Sequence, residues 1–419
     1  MADASNSRQT PRRRLRIAML GSRGIPHTYS GYETFLGEVG PRLVERGHEV
    51  IVYCRRSLFR ERPGTYKGVR LIYLPGIETK TMGTLTHTLV SMGDVLFRGV
   101  DVIFVVNVVN AFHCILPRLL GKNVAINVDG LDWKRGKWGK LGKGFFYWNA
   151  KSVGRICPKG VVTDAQEMRR IYLELFGTPS VSIAYGANIE KSVNPEVVKQ
   201  YNLEPSGYYL VASRLVPENN ADLIIRAFEK VKTPHLLAIA GDANYRSEFV
   251  DRLKATKDPR VRFLGHVGNP EHVKELHCNA FAYVHGHSLG GTNPALLKAL
   301  GYGNCVLALG TAFNREVLQD YGILFENDPA DLTSKMQQIE EHPEISTRYG
   351  LRAPERIREA YTWETITDQY EELFLQLSNG QDPTKVHSSN KCSKQEQFFT
   401  AVSSMTADPL PQETTLLAK

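Results

Sequence analysis

The stretch His285-Gly286-His287-Ser288-Leu289-Gly290-Gly291-Thr292-Asn293-Pro294-Ala295 decides how this chain is read. It continues through an apolar helix and a short strand to Phe313-Asn314-Arg315-Glu316-Val317, and it follows a buried-strand pattern, Ala280-Phe281-Ala282-Tyr283-Val284. A strand that ends in a polar, glycine-rich turn and restarts as a helix leaves backbone N–H groups unpaired at the helix entrance. Those donors and the helix dipole together favour an anion such as a phosphate. Gly290 and Gly291 allow close backbone approach, Thr292 or Asn293 can cap the helix, and Pro294 suits its first position. A plain capped helix has the same spacing, so the rest of the chain has to decide.

At 419 residues the chain exceeds one ordinary core, and two domains are expected. A 42% apolar, 23% charged composition is that of a globular protein. There is no apolar run of about eighteen residues to span a membrane, and the arginine-rich N-terminus lacks the apolar core of a secretory signal. The six cysteines are far apart and form no C-x-x-C pair, which predicts reduced thiols in a cytoplasmic protein. A formal charge of +8 favours an anionic partner without choosing between nucleotide, nucleic acid and lipid headgroup.

Outward from the opening stretch, strand and helix alternate along both halves. The first half starts with a short buried strand at 15–20, the turn Gly21-Ser22-Arg23-Gly24-Ile25-Pro26, and a helix opened by Ser30-Gly31-Tyr32-Glu33. Strands are predicted at 49–53, 69–74, 102–106, 124–128, 161–163 and 181–184, with helices near 84–97, 111–120, 144–153 and 166–176. The pattern lapses at 190–207 and restarts with strands at 208–212, 236–240, 261–264 and 306–309. Helices are predicted at 219–231, 245–255, 270–277, 314–319, 330–340, 345–353 and 365–377. Such alternation means parallel sheets covered on both faces. The expected organisation is a disordered basic N-terminus at 1–14, an α/β domain at 15–189, a linker at 190–207, a second α/β domain at 208–378 and a disordered tail at 379–419. In such doubly wound sheets ligands sit at the carboxyl ends of the strands, so two facing domains define one central cleft.

Several blocks resemble a GT-B glycosyltransferase of the retaining family 4 type, and more narrowly its rhamnosyltransferase-like branch. That branch begins with a "G-T-R-G-I-P … G-G-F-E-T-F" block, which stands here as Gly21-Ser22-Arg23-Gly24-Ile25-Pro26 and Ser30-Gly31-Tyr32-Glu33-Thr34-Phe35. Its "D-G-x-E-W-K-R" corresponds to Asp129-Gly130-Leu131-Asp132-Trp133-Lys134-Arg135. Ala184-Tyr185-Gly186-Ala187, Ser213-Arg214-Leu215-Val216-Pro217-Glu218-Asn219-Asn220, Gly241-Asp242-Ala243 and the opening stretch continue the match in order, over about residues 15–377.

The resemblance implies two Rossmann-like domains, with nucleotide sugar on the C-terminal one and acceptor on the N-terminal one. It places Arg214 on the diphosphate as a catalytic group, where a guanidinium grips two oxygens at once. Gly241, Gly265, Gly290, Gly291, Thr292, Asn293 and Glu316 join it in the nucleotide-sugar site. Gly24, Gly31 and Glu33 bring backbone donors from the opposite wall. Two family hallmarks differ: a lysine expected five residues after the arginine is Asn219, and the paired glutamates are replaced by Gly290 and Lys298. A lysine cannot accept from a ribose diol, and a deoxyribose lacks the 2′ hydroxyl, so Lys298 is a hint toward a dTDP donor. Asp129, at a strand end, is placed to orient an acceptor hydroxyl or take its proton; a turn before Gly130 explains it equally. No Asp-x-Asp cluster holds a metal, and neither metal nor cofactor is expected.

The segment 133–151 interleaves tryptophans and other aromatics with lysines and arginines, and contains no acid. Trp133, Lys134, Arg135 and Trp138 are therefore assigned to an acceptor or an anionic membrane surface; a solvated helix with an aromatic core face, or nucleic acid as a more distant option, gives the same composition. The resulting expectation is a cytoplasmic enzyme, peripheral at the inner face of the membrane. It would transfer a sugar, L-rhamnose from dTDP-rhamnose favoured, to an envelope or exopolysaccharide glycan or a lipid-linked acceptor. A hexosyltransferase using UDP- or GDP-sugar is one alternative. A nucleotide-sugar-binding scaffold with weak activity is another. The most distant is an NADP-linked oxidoreductase, because Arg55-Arg56 follows the second strand.

Overall fold

The computed structural model describes residues 13–26, 31–79, 82–135, 139–242 and 248–385. The first half contains β1 (Arg16–Leu20), α1 (Gly31–Glu45), β2 (Glu49–Arg55), β3 (Thr65–Tyr66), β4 (Val69–Leu74), α2 (Met82–Val95), β5 (Val102–Val106), α3 (Ile115–Leu119), β6 (Asn123–Val128), α4 (Lys140–Ile156), β7 (Val161–Thr163), α5 (Gln166–Phe176) and β8 (Val181–Ser182). The second contains β9 (Tyr208–Ala212), α6 (Ala221–Phe228), β10 (Leu236–Ala240), α7 (Glu248–Lys254), β11 (Val261–Gly265), α8 (Pro270–Cys278), β12 (Ala282–His285), α9 (Pro294–Gly301), β13 (Val306–Leu309), α10 (Ala312–Leu318), β14 (Ile323–Phe325), α11 (Pro329–Glu341), α12 (Pro343–Ala360) and α13 (Trp363–Ser378).

The first sheet runs β3-β4-β2-β1-β5-β6-β7-β8, and only β3 is antiparallel to its neighbour. The second runs β11-β10-β9-β12-β13-β14 and is parallel throughout. In each sheet the winding direction reverses beside the first strand, between β1 and β5 in one and between β9 and β12 in the other. Those reversals splay the following loops apart and create the crevices where ligands bind in this architecture. The strands are nearly continuous apolar runs because helices cover both faces. Together these features are the GT-B fold.

Three sequence expectations change. The helix expected at 111–120 is a 3₁₀ segment, Val108–Cys114, followed by the short α3. Helix α12 passes through Pro354 instead of stopping before it. The expected C-terminal domain loses its last helix, because α13 packs on the first sheet. Tyr370 lies 4.8 Å from Phe35 and 5.3 Å from Phe104 (ring centroids), and Phe374 lies 5.6 Å from Phe104. Arg46 pairs with Glu371 and Asp368, both at 2.8 Å. Burying each such aromatic contributes roughly 1.5–3 kcal/mol, so the tail of the chain ties the lobes together.

The two crossings between lobes run side by side: Ala187 bridges to Thr362, and its N–H donates to the Tyr361 carbonyl at 2.8 Å. Gly186 is needed there, since a Cβ would come within 2.6 Å of the Trp363 ring. Part of the expected C-terminal tail is also packed. Pro383 and Thr384 are buried, and Lys159 donates to the Gly380 carbonyl at 2.9 Å. The remainder of that tail, residues 1–12, Ser30, Trp138 and Ala243 lie outside the described residues.

Candidate active site at the cleft between the lobes

On the C-terminal lobe the loops after β9, β10, β12 and β13 converge at the switch point. Gly241 has φ +145°, and a Cβ there would overlap the Ser213 carbonyl oxygen, so only glycine lets these two loops touch. Its N–H donates to the Gly265 carbonyl at 2.7 Å. Arg214 is exposed, while its carbonyl is pinned by Val216 N–H at 3.0 Å and Asn219 Nδ2 at 2.8 Å. Asn219 is thus a buried support for the arginine turn. Of the two expected caps, Asn293 takes the role by accepting from Ala295 N–H at 2.9 Å. Asn314 joins the β12 and β13 loops by donating to the His287 and Leu309 carbonyls, at 3.0 and 2.9 Å.

Beneath the loop, the His285 and His287 rings stack at 4.2 Å. Burial pushes His285 well below the ordinary histidine range. It brings His287 down to about 3, with the charges of Arg214 and Arg135 adding to the effect. Both imidazoles are therefore neutral. Arg135 is held by Asp132 at 2.9 Å.

On the N-terminal lobe, Gly24 has φ +104° and a Cβ would strike Cys54. Glu33 is buried and accepts from Arg23 N–H at 2.8 Å, so it holds the Gly21–Gly24 turn. Its contribution there is to the loop's shape. Asp129 accepts hydrogen bonds from Tyr32 and from Tyr185, the latter at 2.8 Å. Burial raises the Asp129 carboxyl, and the two phenols oppose that rise. Burial also keeps Tyr32 and Tyr185 neutral, as donors.

The two walls touch. Gly291 N–H donates to the Asp129 carbonyl at 3.3 Å, and the Thr292 hydroxyl donates to the Asp164 carbonyl. A Cβ on Gly31 would come within 3.1 Å of Pro294. The resemblance places Glu316 on the nucleotide sugar. Its two oxygens instead accept from Gln166 N–H at 2.8 Å and Glu167 N–H at 3.1 Å, capping α5 across the cleft. Two donors of the glycine loop are likewise used by the facing lobe in this closed arrangement. The recess lined by His287, Gly290, Thr311 and Asn314 is too tight in this arrangement to admit a ligand.

Asp164 is the residue the sequence reading missed. It follows β7 as Asp129 follows β6, and an aspartate closing a buried strand was the available signal. Burial, then the charges of Asp129 and Glu316, push its carboxyl well above the usual range. Lys298 is exposed on α9. Trp133 is not at the surface: it is 6% exposed and packs 5.7 Å from Phe176 and 6.1 Å from Tyr147. Its expected acceptor or membrane contact is replaced by a core one. Lys134 is exposed. Arg55 is buried against Thr84 at 2.6 Å, which removes it from the 2′-phosphate role an NADP site would need. Among the described residues, no group of three or more His, Cys, Asp or Glu is arranged to hold a metal ion.

Burial raises Glu316 to about 7, against the two N–H donors that lower it. Its folded-state value lies above the ordinary 4.5, so it costs stability increasingly as pH rises from about 4.5 to about 7. We expect the thermal midpoint to fall over that interval, and Glu316→Gln to remove this share of the slope, on the order of 3 kcal/mol at about 1.4 kcal/mol per unit. Parallel pH slopes in calorimetry of the two proteins would contradict this.

Fold and cleft together define a two-lobed GT-B architecture. Residues 194–356, covering linker and C-terminal lobe, match the family model "Glycosyl transferases group 1", so the chain carries that transferase domain. Among solved structures it is similar to sucrose-phosphate synthase from Thermosynechococcus elongatus (17% identity, TM-score 0.71, 88% of this chain and 100% of that one). It is similar also to Anabaena HepE in complex with UDP and glucose (15%, 0.67, 85% and 98%). A third is the catalytic domain of starch synthase IV from Arabidopsis thaliana, bound to ADP and acarbose (13%, 0.67, 88% and 100%). At these identities the likeness is one of fold. No curated protein matches the chain.

Proposed function

We propose that this protein is a retaining glycosyltransferase of the family 4, rhamnosyltransferase-like kind. It moves a hexosyl or deoxyhexosyl unit, in particular L-rhamnose from dTDP-rhamnose, onto a growing envelope or exopolysaccharide glycan at the inner face of the membrane. One observation carries the reading: the Arg214 and Gly290–Asn293 loops follow neighbouring strands at the β9–β12 switch point, joined by Ser288 N–H on the Glu218 carbonyl, and Gly291 N–H reaches the Asp129 carbonyl across the cleft. The complexes of HepE with UDP and glucose and of starch synthase IV with ADP support a nucleotide-linked donor.

When the lobes part, the loop donors now resting on Asp129 and Asp164 transfer to the donor's diphosphate. Arg214 grips that diphosphate, and the guanidinium with the fixed amides stabilises the charge gained as it leaves. Asp129, oriented by Tyr32 and Tyr185, positions the acceptor hydroxyl. The acceptor oxygen bonds the anomeric carbon on the face from which the diphosphate departs, as the bond from that carbon to the phosphate oxygen breaks, and the leaving phosphate takes the hydroxyl proton, so configuration is retained. Closure expels water and so suppresses hydrolysis. The counter-charge comes from arginines, and no metal is needed. A polar recess lined by Arg23, Arg55, Glu78 and Thr84 supplies room for an acceptor. The dTDP preference rests on Lys298, an exposed amine where a ribose acceptor would stand, and on Glu316, whose oxygens are occupied.

The commitment of Asn219, Gly291 and Thr292 to structural bonds favours a second reading, a nucleotide-sugar-binding scaffold. A panel of dTDP-, UDP- and GDP-sugars separates the two. We expect dTDP to bind most tightly of the free nucleotides and dTDP-rhamnose to give glycoside product of retained configuration. Tighter UDP or GDP removes the dTDP assignment; nucleotide binding without transfer from any donor replaces the enzyme by the scaffold.

A further inference from the structure

The aromatic, basic segment that follows Asp129 is split by the fold. Trp133 and Phe146 go into the core, whereas Leu141, Phe145 and Trp148 form one exposed stripe along α4 at helical spacing, with Leu141 93% and Trp148 52% exposed. Phe145 meets Phe112 of the 3₁₀ segment at 6.2 Å, which joins this stripe to the next element. There α3 and the residue after it expose Leu116, Leu119 and Leu120, Leu119 at 78%. The 3₁₀ segment that leads into α3 and helix α4 pack side by side, through Ala111, Cys114, Ala150 and Val153, into one core.

An outward apolar surface of this kind is unusual on a water-facing side, and the charged residues carried by α3, α4 and their ends are all basic. Arg118 and Lys122 flank α3, and Lys140, Lys143, Lys151 and Arg155 lie along α4. The sequence has no acid between Asp101 and Asp129, nor between Asp132 and Asp164. On the neighbouring α5 the two acids, Glu167 and Glu174, are both held by Arg170 at 2.7 Å. No helix among the described residues is long and apolar enough to cross a membrane.

We propose that the outer face of α3 and α4 is a docking surface for an anionic lipid bilayer, with Leu116, Leu119, Leu120, Leu141, Phe145 and Trp148 entering the headgroup boundary and the six cations meeting lipid phosphates. A basic rim around an apolar centre is the complement of such an interface, and each cation strengthens partitioning about fivefold. The proposal deepens the peripheral-membrane part of the reading above and moves it from Trp133–Arg135 to α3 and α4. It does not depend on the donor sugar.

The test is co-sedimentation of the full chain with vesicles rich in phosphatidylglycerol and with vesicles of phosphatidylcholine alone. We expect binding to the first, at least ~10-fold weaker binding to the second, and release by salt as screening grows. Leu119→Glu combined with Leu120→Glu, and separately Trp148→Glu, should each reduce binding by ~10-fold or more and leave dTDP binding unchanged, since all three side chains are exposed and none belongs to the nucleotide-binding lobe. Wild-type protein left in the supernatant overturns the proposal, as do glutamate variants that sediment like wild type. So does a wild-type dimer in solution that these substitutions dissociate, which would make a second copy the occupant. Vesicle binding without transfer from any donor leaves this surface standing while the transferase reading falls; transfer without vesicle binding does the reverse.

Discussion

Replacing Arg214 by alanine is expected to lower the rate of sugar transfer by roughly 10²–10³-fold, the usual cost of losing one fixed donor to a developing charge. The guanidinium is exposed at the mouth of the cleft, and the turn beneath it is held by its backbone, through Val216 and Asn219. Stability should therefore stay within about 0.5 kcal/mol of wild type, as for most exposed substitutions. Arg214→Lys should recover only part of the rate, because an ammonium keeps the charge and loses the two-pronged grip. Single-turnover rates with saturating donor isolate the chemical step from binding. An unchanged rate in Arg214→Ala with every donor that wild type uses would sink the diphosphate role.

The second large effect is expected from Gly291→Ala. In the closed arrangement a Cβ at Gly291 would overlap the carboxylate of Asp164. Asp164 is 1% exposed, and its chain carbonyl is already bonded to Thr292, so it has little room to retreat. The added methyl would hold the lobes apart near the reacting groups. A displacement of about 1 Å there costs about 10²-fold in rate, while nucleotide binding, which uses the C-terminal lobe, should change only a few-fold. Small-angle scattering should show a larger radius of gyration than wild type. A variant as compact and as active as wild type would mean that this contact is not part of the working cycle.

Arg214 and Gly291 show how unevenly the site could be read. Their loops were legible because a strand, a glycine-bearing turn and a helix start follow one another in sequence, and that local order places backbone donors at a strand end. Nothing local reveals which donors are in use. The Gly291 N–H and the Thr292 hydroxyl are occupied by residues more than a hundred positions away. Asp164 shares only the strand-end position of Asp129 in sequence; its weight comes from the Gly291 and Thr292 that face it.

The alternation of apolar strands with amphipathic helices settled, from sequence alone, that there are two parallel-sheet lobes and where most of their elements lie. That periodicity is a property of neighbours in the chain, and burial of one helix face or both strand faces follows from it directly. Tertiary structure alone decided the partners: α13 returning to the first lobe, Glu316 capping α5 across the cleft, Trp133 turning inward and Leu119 turning outward. An apolar residue at helical spacing must find some face to bury against. Which face is available, and whether any is left uncovered, depends on the packing of the whole molecule.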